Sequence, residues 1–153
     1  MNLIAPIGTR ISELLKLTGL KSQPGKVVVG GPMNGTAICS VDDPIVKVSN
    51  AVLVFDEKSA VLPEASACIN CGRCMEKCPV GISVADVDRY MHVENPDRKA
   101  KLLIKTGVRQ CVDCACCSYV CPANRPLLQI NWEAKAYLKK YAAAQKEKEG
   151  GNK

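Results

Sequence analysis

The chain has 153 residues, 47% of them hydrophobic, which suits one ordinary domain or two small ones and excludes both a large enzyme and wholesale disorder. Aromatic residues make up only 4%, too few for the stacking platform of a single-stranded nucleic-acid binder. The net charge of +6 is mild and no nucleic-acid-binding motif accompanies it, so we predict no nucleic-acid partner.

Residues 1–60 are predicted to form a small α+β unit that is β-grasp-like. Thr9 is predicted to cap a helix that ends at Gly19. The glycine-rich segment 30–35 must be a loop. Short β-branched or apolar segments predict strands over residues 26–29, 45–48 and 51–55.

Residues 61–126 hold nine of the ten cysteines and are predicted to form a mostly helical, ferredoxin-like domain. The predicted segments are a helix over 83–91, a helix from Asn95-Pro96 to Gly107, an amphipathic helix over 127–143 and a polar tail over 144–153. The apolar positions that predict the third helix are Leu127, Leu128, Ile130, Trp132, Ala136, Leu138 and Tyr141.

The ten cysteines are either disulfide-bonded or ligands, because packing needs far fewer. The first residues do not look like a signal peptide, and no segment approaches about 18 consecutive apolar residues. We therefore expect no export and no direct membrane span. Disulfides are disfavoured without export, so metal ligation is the leading interpretation.

Eight of the cysteines form an internal duplication. The first run is C-x-x-C-x-x-C-x-x-x-C-P at residues 68–79, and the second has the same spacing at residues 111–122, each member 43 positions after its counterpart. Three cysteines at intervals of three in a tight loop suit three iron corners of a [4Fe–4S] cluster. In two-cluster ferredoxins the fourth cysteine, which precedes proline, ligates the other cluster.

This rule predicts crossed ligation. The first cluster is assigned Cys68, Cys71, Cys74 and Cys121, and the second is assigned Cys78, Cys111, Cys114 and Cys117. Structural zinc is the weaker alternative, because it usually takes two cysteine pairs separated by a longer stretch. A disulfide framework is weaker still, because we expect no export and disulfides are disfavoured in proteins that are not exported.

Several neighbouring residues are given lesser roles. Cys116 is interpreted as a small thiol beside the second cluster or, less favoured, as an exchangeable ligand, and Cys39 as a packing residue. His92 is predicted to be a surface residue. Basic residues close to the ligands would favour the reduced clusters or be ordinary solvated charges; these are Arg73, Lys77, Arg109 and Arg125.

The motifs of other chemistries are missing from the sequence. The segment Gly30–Gly35 has Walker-like glycine spacing but is followed by Thr36 where a phosphate loop has lysine, and no GxGxxG is present. A catalytic Ser/His/Asp triad is not expected, because the sequence has a single histidine and no suitable nucleophile-elbow motif around a serine. The sequence therefore contains redox centres without a complete active site, and whether the chain acts as an enzyme by itself stays open.

Four stretches resemble the C-terminal part of the C subunit of the Rnf electron-transport complex, and the cobalamin-reductase flavoprotein of propanediol-utilising microcompartments is built similarly. These stretches are PIGT at 6–9, VGGPMNG at 29–35, CINCGRC at 68–74 and CACCSYVCP at 114–122. The resemblance covers roughly residues 5–140 and implies that residues 1–60 are a soluble-ligand-binding β-grasp (SLBB) module. It also makes Cys116 a family feature, with Ala115 in place of the usual glycine.

The resemblance implies a cytoplasmic protein at the inner face of the cell membrane. Its partners would be other subunits of a membrane redox complex, ferredoxin or a flavin-bearing domain, in electron transfer coupled to Na⁺ or H⁺ translocation. FMN and NADH are expected only on a missing upstream domain or a partner, which makes the chain a fragment or a split subunit. The leading hypothesis is a subunit that relays single electrons through two [4Fe–4S] clusters within such a complex. Three others stay open: a fragment of a cobalamin-reductase-type flavoprotein, a freestanding soluble dicluster ferredoxin, and a scaffold whose clusters serve only to stabilise the fold.

Overall fold

The computed structural model describes residues 1–20 and 23–150, with side chains described as far as residue 147. The chain divides into two compact units, Met1–Pro63 and Glu64–Lys153. The first contains a small sheet and the second is built from helices, so the predicted α+β class with a mostly helical second part is confirmed at this coarse level.

The sheet of the first unit has three antiparallel strands in the order β2-β1-β3. They are β1 (Lys26–Val29), β2 (Thr36–Ala37) and β3 (Val52–Phe55). Val28 of β1 pairs with Ala37 on one side and Leu53 on the other. The helices are α1 (Ile11–Leu17) and α2 (Glu57–Ala60). Ile11 and Leu15 of α1 pack with Val27 to form the small core of this unit.

Two sequence predictions for this unit are wrong. Residues 45–48 are not a strand: the Val46 N–H donates to Ser49 Oγ and the Ser49 N–H to the Val46 carbonyl, which closes a turn. Thr9 is not the N-cap of α1, because its hydroxyl donates back to the Pro6 carbonyl and the helix begins one residue later, after Arg10. The short strand β2 was not predicted, since two exposed residues carry no strand pattern.

The second unit contains five helices among its described residues. They are α3 (Arg73–Glu76), α4 (Val84–Met91), α5 (Pro96–Lys105), α6 (Cys116–Tyr119) and α7 (Leu127–Gly150), with a 3₁₀ turn at Val108–Gln110. The predicted start of α5 is confirmed, because the Asn95 side chain accepts a hydrogen bond from the Arg98 N–H. Gly107 follows with φ +77°, a left-handed conformation suited to glycine.

The 43-residue duplication extends beyond the cysteines into the helices. The helices α3 and α6 begin 43 positions apart, and so do α4 and α7. Buried apolar residues, mostly from α4, α5 and α7, form the core of this unit, and half-buried cysteines pack against it. The buried members are Ile82, Val84, Val87, Ala100, Leu103, Val108, Cys117, Leu127, Ala134 and Leu138.

The helix α7 does not end at residue 143 but continues to Gly150. The segment predicted as a polar tail contains Ala, Gln, Lys and Glu at its first positions, all good helix formers. Lys146 and Lys148 alternate with Glu147 and Glu149, so polarity alone does not end the helix. The last part of the predicted tail, 151–153, lies outside the described residues.

Candidate metal centre

Two similar loops carry the eight repeated cysteines. In each loop the backbone adopts positive φ at equivalent positions, Asn70 (+55°) and Asp113 (+57°), then Gly72 (+76°) and Ala115 (+63°). A single helical turn follows each pair, α3 in the first loop and α6 in the second. The repetition in sequence is therefore also a repetition of backbone conformation, including the rarely occupied left-handed region.

The cysteines of the second assigned set surround one cavity. Cys78 from the first run lines it together with Cys111, Cys114 and Cys117 from the second, and Cys116 is a fifth cysteine in the same wall. The Ile82 N–H donates to Cys78 Sγ at 3.3 Å. We refer to this space as the five-cysteine cavity.

Cys117 is the most buried of these thiols, 7% exposed. Burial raises the pKa of the Cys117 thiol to about 11, although hydrogen bonds from Ser118 act in the opposite direction. The charges of Cys111 and Cys114 raise the pKa further, which places these thiols close to Cys117. Without a bound metal the Cys117 thiol is therefore neutral at physiological pH.

The first assigned set is more open to solvent. Cys68 and Cys71 are exposed, whereas Cys74 and Cys121 are half-buried. Burial raises the pKa of Cys74, and the charges of Cys121 and Cys68 add to the effect. The structure thus brings Cys74 close to Cys68 and to Cys121 of the other run. Cys71 lies three residues from Cys68 and Cys74 on the same loop.

An ion pair lies beside this first set. Arg125 Nη2 donates to Asp88 Oδ1 at 2.7 Å, and Nη1 donates to the Ser66 carbonyl at 3.3 Å. The pKa of Arg125 is raised, first by the hydrogen bond to Asp88 and also by the charges of Cys68 and Cys121. Of the four predicted basic neighbours, Arg125 thus lies close to Cys68 and Cys121, and Arg73 and Lys77 line a cavity with Cys121.

An amide lies beside the second set. Asn131 on α7 is 1% exposed, and its Nδ2 donates to Cys111 Sγ at 3.7 Å and to Cys117 Sγ at 4.0 Å. Asn131 was not predicted from the sequence, because only apolar residues were expected on the buried face of this helix. The signal that could have found it is the duplication, since residue 131 is the counterpart of Asp88.

Lys135, one turn further along α7, fixes the second loop. Its Nζ donates to the Cys111 carbonyl at 3.2 Å and to both Asp113 carboxylate oxygens, at 2.8 and 2.9 Å. Burial opposes ionisation of Asp113, but hydrogen bonds from Lys135 and Cys111 outweigh it and lower the pKa of this carboxyl. The start of α7 is held too, because the Leu128 N–H donates to Ser118 Oγ at 2.9 Å.

The remaining predicted residues have mixed outcomes. Cys116 lines the five-cysteine cavity and is half-buried, and hydrogen bonding to Cys114 raises its pKa. Cys39 is exposed, so its interpretation as a packing residue is wrong, because the segment after β2 lies on the surface. His92 is exposed, as predicted.

The residues present suit a sulfur-rich anionic group. All ten cysteines are free thiols, and eight of them fall on the two repeated loops. Arg125 Nε is a buried N–H without a partner beside Cys68 and Cys121, and a thiolate or sulfide is the kind of acceptor that it lacks. Within the described part of the chain, no three His, Cys, Asp or Glu side chains are placed to hold a single metal ion.

Comparison with known proteins finds the same chemistry. A 4Fe-4S dicluster domain matches residues 60–122. The chain is similar to proteins named as the C subunit of an ion-translocating oxidoreductase complex. That of Rhodobacter capsulatus is 36% identical over 140 residues, 90% of this chain and 26% of the relative. That of Yersinia pestis bv. Antiqua (strain Antiqua) is 46% identical over 83 residues, 53% of this chain and 13% of the relative.

The chain thus spans about a quarter or less of the curated relatives that it matches. Among its described residues, no helix combines the length and the apolar character needed to cross a membrane.

Proposed function

We propose that this chain, which carries a 4Fe-4S dicluster domain, relays single electrons through two [4Fe–4S] clusters. The chain is homologous to part of the C subunit of ion-translocating oxidoreductase complexes, and the proposed relay operates within such a complex. The observation that carries the proposal is the mixing of the two cysteine runs. Cys78 lines the cavity of the second run, and Cys121 lies close to Cys74 and Cys68 of the first.

The proposed ligands are the two crossed sets. Cys68, Cys71, Cys74 and Cys121 would hold the first cluster, and Cys78, Cys111, Cys114 and Cys117 the second. When bound, such clusters supply reversible uptake of one electron each. A reduced low-potential carrier would give the electron, and an oxidised redox partner would receive it.

The protein residues have three tasks in this function. The loops hold the thiolates, the Asp88–Arg125 pair and Asn131 place charge and N–H donors beside them, and the buried core of α4, α5 and α7 excludes water from one side. The exposed Cys68 and Cys71 leave the first set accessible to a partner, as exchange of electrons between proteins requires.

The wider setting of the proposal comes from the relatives. Other subunits of a membrane redox complex, ferredoxin or a flavin-bearing domain are the proposed partners, and ion translocation is the proposed coupled process. FMN and NADH would be bound by another domain or subunit. We place the chain at the inner face of the cell membrane, and we interpret Met1–Pro63 as an SLBB-type β-grasp module that serves for docking.

Anaerobic reconstitution followed by iron and sulfide assays and EPR spectroscopy of the reduced protein tests the proposal. About eight irons and eight sulfides per chain, with a spin-coupled signal, are expected if both clusters form. One or two zinc ions with no sulfide would overturn it. Clusters that stay in one oxidation state between physiological reductants and oxidants would instead support the scaffold hypothesis.

Affinity purification from anaerobically prepared membranes separates the relay from a freestanding carrier. The relay is expected to retain flavin-containing membrane subunits through detergent extraction. A chain that carries eight irons and elutes alone would instead be a soluble dicluster ferredoxin. Co-purification with a cobalamin-binding partner would favour the cobalamin-reductase type.

A further inference from the structure

Asp88 and Asn131 are counterparts in the 43-residue duplication and differ by one chemical group. Asp88 lies on α4 and Asn131 on α7, each four residues after the first residue of its helix, and both are buried, at 6% and 1% exposure. They are two of only three polar residues that are buried in the described part of the chain. One has a carboxylate where the other has an amide of nearly the same shape.

The surroundings of the two residues differ in a compensating way. The counterpart of Arg125 in the first copy of the repeat is Ile82, which is 2% exposed. The carboxylate of Asp88 is therefore matched by a guanidinium, with Arg125 Nη2 at 2.7 Å. The uncharged Asn131 needs no such partner.

The contacts of Asn131 are directed to sulfur. Its Nδ2 lies 3.7 Å from Cys111 Sγ and 4.0 Å from Cys117 Sγ, and its Oδ1 is buried without a partner. A residue that served packing alone would be apolar, because a buried polar atom without a hydrogen bond is unfavourable. The amide is thus explained by its N–H donors to the two cysteines.

Resting on the cluster ligation proposed above, we propose that Asn131 and the Asp88–Arg125 pair make the two clusters energetically unequal. Asn131 donates hydrogen bonds to two ligands of the second cluster, and N–H donors favour the more negative, reduced state. Asp88 offsets the positive charge of Arg125 beside the first cluster. The duplicated loops thereby become two sites with separately adjustable reduction potentials.

Redox titration of the reconstituted chain, followed by EPR, tests this inference. Asn131→Leu keeps the approximate volume and removes the donors, so the equilibrium constant for reduction of one cluster is expected to fall about tenfold. Asp88→Asn, the matched variant at the counterpart position, leaves Arg125 unopposed. It is expected to raise the reduction constant of the cluster beside Arg125 and to leave unchanged that of the cluster beside Asn131.

A second substitution covers the case in which leucine prevents cluster assembly. Asn131→Ser stays polar but is too short to reach both sulfurs, so it is expected to lower the same reduction constant. Glu133→Gln, on an exposed residue of the same helix, is the control and is expected to change neither constant.

The possible outcomes distinguish this inference from the function on which it rests. Failure to find two clusters in the unmodified chain would overturn the proposed function. Two clusters whose constants do not respond to Asn131→Leu or Asn131→Ser would overturn the inference alone. It would also be overturned if the Asn131 and Asp88 variants shifted the same cluster.

Discussion

Cys78 belongs to the first cysteine run, yet its side chain lines the same cavity as Cys117 of the second run. The two residues are 39 positions apart, and the helices α4 and α5 lie between them in sequence. A residue that precedes α4 and a residue on α6 therefore line a common site. This placement favours the proposed crossed ligation over the simpler arrangement in which each run holds its own cluster.

Two quadruple variants decide between these arrangements. Both replace Cys111, Cys114 and Cys117 by serine; one also replaces Cys78 and the other Cys121. With crossed ligation the Cys78 variant keeps all ligands of the first cluster and should retain about four irons, whereas the Cys121 variant should retain almost none. Iron and sulfide assays after anaerobic reconstitution measure the difference.

The two variants are matched controls for each other, because each lacks four of the eight repeated cysteines and keeps the other four. If each run held its own cluster, the result would be reversed, with about four irons in the Cys121 variant. Equal iron contents would contradict both arrangements.

The adjacent residues Cys116 and Cys117 provide a second test. Cys117 is the counterpart of Cys74 in the duplication and is buried, whereas Cys116 is the counterpart of Arg73 and is half-buried. We expect Cys116→Ser to keep about eight irons and Cys117→Ser to lose about four. Iron content and the spin-coupled EPR signal are the measurements.

Retention of eight irons by both Cys117→Ser and the double variant C116S/C117S would contradict the ligand assignment, whereas retention by Cys117→Ser alone has a different cause. The double variant C116S/C117S then identifies the cause. If it loses four irons, Cys116 replaces Cys117 as a ligand, which their common position in the wall of the five-cysteine cavity makes sterically reasonable.

Local signals in the sequence were enough for much of the second unit. Asn95 followed by Pro96 predicted the start of α5, because both the cap and the proline act within one helical turn. The spacing of the cysteines and their 43-residue duplication predicted the dicluster domain, which the family comparison confirms.

Features that depend on distant parts of the chain were not predictable in this way. Ile45–Val48 has a strand-like composition, but a turn at Val46–Ser49 and single hydrogen bonds to Gly8 and Thr9 replace a strand ladder. On α7, Trp132 is one of the apolar positions that predict the helix but is 37% exposed, while Asn131 is buried. That face is set by packing against α4 and by the cysteine sulfurs, and hydropathy records neither.

The left-handed positions of the two loops allow a test of backbone strain. Gly72 has φ +76°, and a Cβ added there would meet no atom within 4 Å, so Gly72→Ala isolates the conformational cost. A cost of about 1 kcal/mol is expected, which lowers the melting temperature of the reconstituted protein by about 4–8 °C. Anaerobic thermal scans at one fixed rate measure it.

The reverse substitution at the counterpart position is the control. Ala115 has φ +63° and is 3% exposed, so Ala115→Gly relieves strain but removes a buried methyl group and adds freedom to the unfolded chain. These effects nearly cancel, and we expect a change of less than about 3 °C. A larger loss of stability in Ala115→Gly than in Gly72→Ala would contradict the strain argument.

Removal of the clusters should affect the two units differently. Five cysteines, Cys117 buried and Cys74, Cys78, Cys111 and Cys121 half-buried, belong to or pack against the core of the second unit. The core of the first unit consists of Ile11, Leu15 and Val27 with apolar neighbours and contains no proposed ligand. Since metal binding to such sites is coupled to folding, loss of the clusters should loosen α4–α7 and spare the sheet.

Hydrogen–deuterium exchange with mass spectrometry, before and after anaerobic chelation, measures this effect. Peptides from residues 84–138 are expected to exchange at least about tenfold faster after chelation, whereas those from β1 and β3 should keep their rates. Cys39→Ser is the control: this exposed thiol belongs to the first unit, and its replacement should leave both cluster content and exchange unchanged. Equal acceleration in both units would contradict the expectation, because it would mean that the sheet also depends on the thiolate loops for its stability.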